Sequence, residues 1–204
     1  MSFDVTKTTG ETTKNVFLKI LEDIPGGITV KTGEIPSNIK DLGAGTPVAE
    51  SSSTSGLYNP VKIAKSTSTQ TAATSITVKR PILFNVGEFI GKYNGYTAST
   101  ITKITMTAAT TATIVTSKAI GALATATRLI RAAAAASGTS TRISAKDSAE
   151  ALLGNSIAVR ATDMTTLYNV TASAIVRGSV IEENLPFYID DGAKTALTSR
   201  LRFA

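Results

Sequence analysis

The stretch Ser75–Ile104, SITVKRPILFNVGEFIGKYNGYTASTITKI, limits the fold more than any other part of the chain. Ile76 and Val78 alternate with Thr77 and Lys79, the period of a strand with one buried face. Pro81 cannot donate to a strand ladder, so it marks a strand end or an edge. Ile82-Leu83-Phe84 follows, then a turn over Asn85-Val86-Gly87-Glu88, then Phe89-Ile90. Gly87, Gly91 and Gly95 recur four apart, and each permits positive φ or close backbone approach. Ile101 and Ile104 supply apolar residues to a further strand. The stretch therefore predicts two or three short strands of a small, tightly curled β-barrel or sandwich.

The rest of the chain continues in the same style. Residues 1–15 are rich in Thr and Lys without periodicity, and they predict an arm that a partner would order. Val16 to Leu21 is apolar enough for one strand or a short helix. Ile24-Pro25-Gly26-Gly27 signals a turn, and Ile28 to Lys31 alternates as a half-buried strand does. Residues 50–56, ESSSTSG, read as a linker or exposed loop. Val61 to Lys65 alternates with both lysines assigned to one face, and residues 66–75 read as a polar hairpin or loop. Between residues 105 and 127, β-branched Thr argues for strands and Ala for helix. Strands over 102–107 and 111–116 with a turn at Gly121 fit better. The alanines 132–136 leave a short helix open as an alternative. Ser144 with Asp147 has the spacing of a helix N-cap and its acid. It predicts a helix over Ala149 to Leu153, stopped by Gly154. Ile157 to Arg160 and Ala172 to Ile181 predict strands, and Ala193 to Leu197 a short helix capped by Asp190 or Asp191. The expected class is mainly β, with one or two short helices in the C-terminal third. The expected division is an arm over 1–27 and a β-rich body over 28–204. The body divides further into 28–55, a basic barrel over 56–143, and 144–204.

The 204 residues include no Cys and no His. No disulfide or thiol chemistry is open to this chain, and imidazole triads and zinc sites of ordinary type are excluded. No nucleophile motif stands out either, so the expectation is a protein without catalysis, cofactor or metal. No run approaches the ~20 apolar residues that span a bilayer, and the N-terminus has no apolar core of a secretory signal. The expected setting is a cytoplasm, or a particle assembled there.

The formal charge of +6 is unevenly spread, because residues 56–146 carry eleven Lys and Arg against Glu88 alone. Such a segment faces something negative or simply water. GxxxGxxxG at Gly87–Gly95 is not a phosphate-cradling motif, and turn glycines explain it. Lys79, Arg80, Phe84, Phe89, Lys92, Tyr93, Tyr96 and Lys103 interleave cations with aromatics, as single-strand nucleic-acid binders do. The competing reading puts Phe84 and Phe89 in the core and the lysines in water. The acidic pairs Glu182-Glu183 and Asp190-Asp191 could hold a hard cation. A solvated turn and a helix cap account for them more simply, and Asp163 near Thr162 and Thr165 reads as a turn residue. Arg177, inside an apolar strand, either pairs with Glu182 or Glu183 or meets a neighbouring subunit.

Ala174 to Leu197, AIVRGSVIEENLPFYIDDGAKTAL, followed by Leu201-Arg202-Phe203, resembles the tail of a phage protein family. The family comprises auxiliary (decoration) or head-fibre proteins of tailed double-stranded-DNA bacteriophages, including crAss-like phages. Phe84 to Gly91 with Ile101 to Ile104 is similar to the family's central barrel motif. The segment from Ile35-Pro36 to Pro47-Val48 resembles its early segment. The likeness is spread over most of residues 28–204 and contains no catalytic signature. It implies a virion protein, made in the host cytoplasm, on the outer surface of an icosahedral head. It implies the major capsid protein as partner, with other copies of the chain or a head-fibre protein as further partners. Membrane contact is not expected and nucleic acid is the lesser reading. The candidate contacts with an acidic shell are Lys79, Arg80, Lys92, Lys103, Arg128, Arg131, Arg177 and Arg202.

Overall fold

The computed structural model of the chain describes residues 15–71, 74–138, 142, 145–159 and 169–204. The expected arm up to residue 14, the cap at Ser144, Arg160 and the turn around Asp163 lie outside them. The fold is mainly β, with one α-helix near the C-terminus and a sheet curled into a half-barrel.

The first sheet draws on both ends of the chain. Its strands here are β1 (Phe17–Asp23), β2 (Ile28–Val30), β4 (Pro47–Glu50) and β5 (Leu57–Pro60); β3 (Asp41–Leu42), between β2 and β4 in the chain, lies outside the sheet. The second sheet holds β6 (Ile63–Lys65), β7 (Ser75–Lys79), β8 (Phe89–Lys92), β9 (Thr97–Met106), β10 (Thr111–Thr116), β11 (Arg128–Arg131) and β12 (Ala136–Ser137). The chain then returns to the first sheet through β13 (Ala151–Leu153), β15 (Val170–Ala172), β16 (Ala174–Val180) and β17 (Leu201–Phe203), while β14 (Ile157–Ala158) pairs with β3. Helix α1 (Asp191–Leu197) lies between β16 and β17. In space the first sheet runs β1-β16-β13-β4-β5-β2-β15, with β17 parallel to β16. The second runs β6-β11-β8-β9-β10-β7, with β12 on β9.

Alternation decides the second sheet. Ile114 sits opposite Ile76 and Ile104, and Thr113 opposite Thr77 and Thr105. The isoleucine row faces in, with Ile76 and Ile114 fully buried, and the threonine row faces out. The sheet curls until its two ends meet: Ser66, just past β6, bridges Val78 in β7. The Thr67 N–H also donates to the Thr77 carbonyl at 2.9 Å. Phe84, Ile90, Ile101 and Leu129 fill the space enclosed. Phe84 is a core residue; Phe89 is half-buried.

The middle of the first sheet, around β13, is covered on both faces. Leu152 and Ile175 belong to one apolar cluster, their neighbours Ala151, Leu153 and Ala174 to the other. This overturns the helix expected over Ala149 to Leu153. A strand buried on both faces reads as a continuous apolar run, and here β13 lies between β4 and β16. The alanine run from 132 to 136 is not a helix either; it ends in β12. The strand over Ile157 to Arg160 shortens to β14, with Val159 outside it. Residues 17–23, within the span expected as an arm, form β1 against β16. Both faces of β1 are largely open, with Leu18, Ile20 and Leu21 exposed.

Helix α1 forms where expected. Asp190 Oδ1 accepts from the Gly192 and Ala193 N–H groups, both at 2.7 Å, which satisfies two donors the first turn cannot use. Ala193 and Leu197 face the core shared with Leu152 and Ile175.

Candidate functional site

Two arrangements stand out: a buried charge network and an open groove. The network begins at Lys62, which precedes β6 and is wholly buried. Its Nζ donates to the Glu34 carbonyl and lies 2.5 Å from Glu88 Oε1. Arg131 ends β11 beside it. Its guanidinium reaches Glu34 Oε2 at 2.5 Å, Glu88 Oε1 at 3.2 Å and Asp147 Oδ2 at 3.5 Å. Asn59 Nδ2 donates to the other oxygen of Asp147 at 3.1 Å. Glu34 belongs to the short 3₁₀ turn Thr32–Glu34 after β2, and Glu88 to the turn before β8. Cations of the half-barrel thus meet acids from both parts of the molecule. Burial pushes the Lys62 amine below its ordinary range, against the pull of Glu88. Burial also pushes Glu34 up, but Arg131, with Lys146 and Lys62, outweighs it and holds that carboxyl below its usual range.

A depressed carboxyl pKa adds stability that is present above the unfolded value and is lost as pH falls through the folded one. Glu34→Gln should therefore be less stable than the parent at neutral pH. The gap should narrow on acidification through the carboxylate range, measured by urea unfolding at a series of pH values. A gap constant with pH would contradict the assignment.

The groove has a volume of about 1000 Å³. Lys65, Lys79, Arg80 and Pro81 line it from the half-barrel, and the segment from Leu185 to Ile189 lines it from the C-terminal part, beside Leu18 of β1. Lys65 Nζ lies 5.4 Å over the Tyr188 ring, a cation–π contact across the groove. Arg80 donates to the Ala108 carbonyl at 3.0 Å, and Lys79 is exposed. Next to the groove, Arg128 stacks 3.5 Å over Tyr93 and pairs through Nε with Asp190 Oδ2 at 2.5 Å. This joins β11 to the start of α1. Burial raises the Asp190 carboxyl, opposed by the Ala193 N–H and by Arg128.

The eight candidate cations therefore separate. Lys79 and Arg80 share the groove. Arg128 is half-buried against α1, and Lys92, Lys103 and Arg202 are exposed outside the groove. Arg131 leaves the set, because it is buried and its charge is spent on Asp147, Glu88 and the partly buried Glu34. Arg177 is exposed and pairs with Glu22 at 3.5 Å, not with Glu182 or Glu183. The strand's outward phase and the neighbouring β1 decide that. Glu182 pairs instead with Lys194 at 2.5 Å. Lys62 and Lys65 do not share a face: three residues apart in extended chain they point to opposite sides, and Lys62, just before the strand starts at Ile63, turns inward. One sequence signal pointed to the network: Glu88, the lone acid among eleven cations. Among the described residues no cluster of three or more acids is arranged to hold a metal ion. No protein-family model, curated protein or solved structure matches the chain.

Proposed function

We propose that this chain is a structural protein of a phage head, docked on the outside of the shell and bridging major capsid subunits. The reading rests on the resemblance of the C-terminal segment. One observation carries it further: Leu185 to Tyr188, within that segment, walls the groove against Lys79 and Arg80. The half-barrel lip of this partly apolar cleft carries Lys65, Lys79 and Arg80 and the opposite lip Glu182 and Glu183, so it suits a partly apolar surface whose acids meet the basic lip. Complementary charge of this kind sets orientation and association rate more than affinity. A body that binds the assembled shell and not its separated subunits stabilises the shell by mass action.

The test mixes purified protein with capsids that lack it, and separately with single-stranded DNA. Retention on capsids without retention on DNA is the expected result. DNA binding that falls steeply with salt would favour a nucleic-acid module instead. Retention only in the presence of a fibre protein would assign the chain to a fibre base. The double variant Lys79→Glu/Arg80→Glu should weaken capsid retention about tenfold at low salt, and less at high salt as screening shortens the reach of charge. Unchanged retention would remove the groove from the interface.

A further inference from the structure

Lys62 is an amine with no exposure to water, next to a carboxyl and a carboxamide. Asn85 Nδ2 donates at 2.8 Å to the Glu34 carbonyl, the same oxygen that accepts from Lys62 Nζ. Glu88 spans the pair. Its Oε1 lies 2.5 Å from Lys62 Nζ, and its Oε2 accepts from the Asn85 backbone N–H at 2.9 Å. The Glu34 carbonyl thus gathers the two side-chain nitrogens at one point, and the Glu88 carboxyl holds Lys62 Nζ and the backbone of Asn85 beside it.

We propose that Lys62 and Asn85 are the partners of an intramolecular amide crosslink, formed by the chain on itself with Glu88 carrying the proton. Lys62 passes a proton to Glu88, and its neutral Nζ attacks Cγ of Asn85. The new C–N bond forms and the Cγ–Nδ2 bond breaks. Glu88 returns the proton to the departing nitrogen, which leaves as ammonia, and takes the second Nζ proton as the adduct collapses to the amide, so the proton first held by the ammonium ends on Glu88 or leaves with the ammonia as ammonium. Atoms and charge balance without any further reactant.

The surroundings favour each part of this step. A nucleophilic amine needs its lone pair free, and burial next to the Arg131 guanidinium disfavours the ammonium form. Moving one proton from Lys62 to Glu88 leaves the net charge of the cluster unchanged. The amide formed keeps an N–H where Nζ stood, facing the Glu34 carbonyl. Lys62 leads into β6 and Asn85 into the turn before β8, and both strands flank β11. The link would join two strands that do not pair with each other, in a chain that has no cysteine to do so.

Intact mass measurement of the full chain tests it. The expected mass is lower than the sequence requires by one ammonia. Proteolytic mapping should recover a branched peptide containing an uncleaved Lys62 joined to Asn85. Mapping matters because cyclisation at Asn94-Gly95 also releases ammonia and would leave Lys62 cleavable. Asn85→Ala and Glu88→Gln should each show the full mass of their own sequences. A parent protein of unreduced mass would overturn the proposal, as would loss of one water with Lys62 joined to Glu88. Because the parent decides the matter, a variant that fails to fold does not rescue it.

Discussion

Arg131→Leu is expected to lower the free energy of unfolding by about 3–5 kcal/mol, the usual cost of removing one partner from a buried ion network. The side chain is 7% exposed, so water cannot take the guanidinium's place. Leucine would remove the one guanidinium that reaches Glu34, Glu88 and Asp147 together, leaving Lys31 beside Glu34 and Lys62 beside Glu88. Most of the loss is the cost of carboxylates left without a counter-charge, and not the worth of the ion pairs themselves. Two comparisons separate the terms. Arg131→Lys keeps the charge but not the planar fork that reaches three acids, and should recover part of the stability. Arg131→Leu combined with Glu34→Gln should cost less than the two single changes added, since the second removes a charge stranded by the first. Urea unfolding at neutral pH measures all of these. A loss below about 1 kcal/mol for Arg131→Leu would mean that water reaches the site and that the network is not buried in solution.

Phe84→Ala should cost a similar amount, about 3–5 kcal/mol, for a different reason. Phe84 is 1% exposed among Ile76, Val78, Ile90 and Leu129, and none of these lies in the two clusters of the first sheet. Truncation leaves a void that surrounding strands can only partly fill, because they are tied into a curled sheet. The damage should be local first. Amide hydrogen exchange at Ile76, Val78 and Ile114 should accelerate more than at Leu152 and Ile175. Equal acceleration everywhere would show that the two sheets open as one unit.

Alternation made much of the half-barrel legible before any coordinates. The Thr/Ile phase of β7, β9 and β10 needs only one buried face to declare itself. The short helix α1 was legible from Asp190 three residues ahead of Ala193. The helix expected over Ala149 to Leu153 failed for a physical reason. With both faces buried, β13 has no polar phase, and Ser, Asp and Ala before it imitate a helix start. The charge network was the least legible part. Lys62, Glu88 and Arg131 are far apart in sequence and meet only because β6, β8 and β11 are neighbours. Cations that belong to the interior look the same in a sequence as cations that face water. Arg131 is such a cation, indistinguishable in the sequence from those at the surface. Lys79 and Arg80 lie near the surface, at a strand end beside Pro81.

The first sheet is sealed above and below around β13, and this limits how anything else can take hold of the molecule. A flat face with packing on both sides has no free area to lend. On this sheet grip must come from the margins: the open flank of β1 with its three bare aliphatic side chains, and the mouth of the cleft beside Leu18. A body held by its margins keeps its interior out of the bargain, so a partner can change shape without asking the fold to follow.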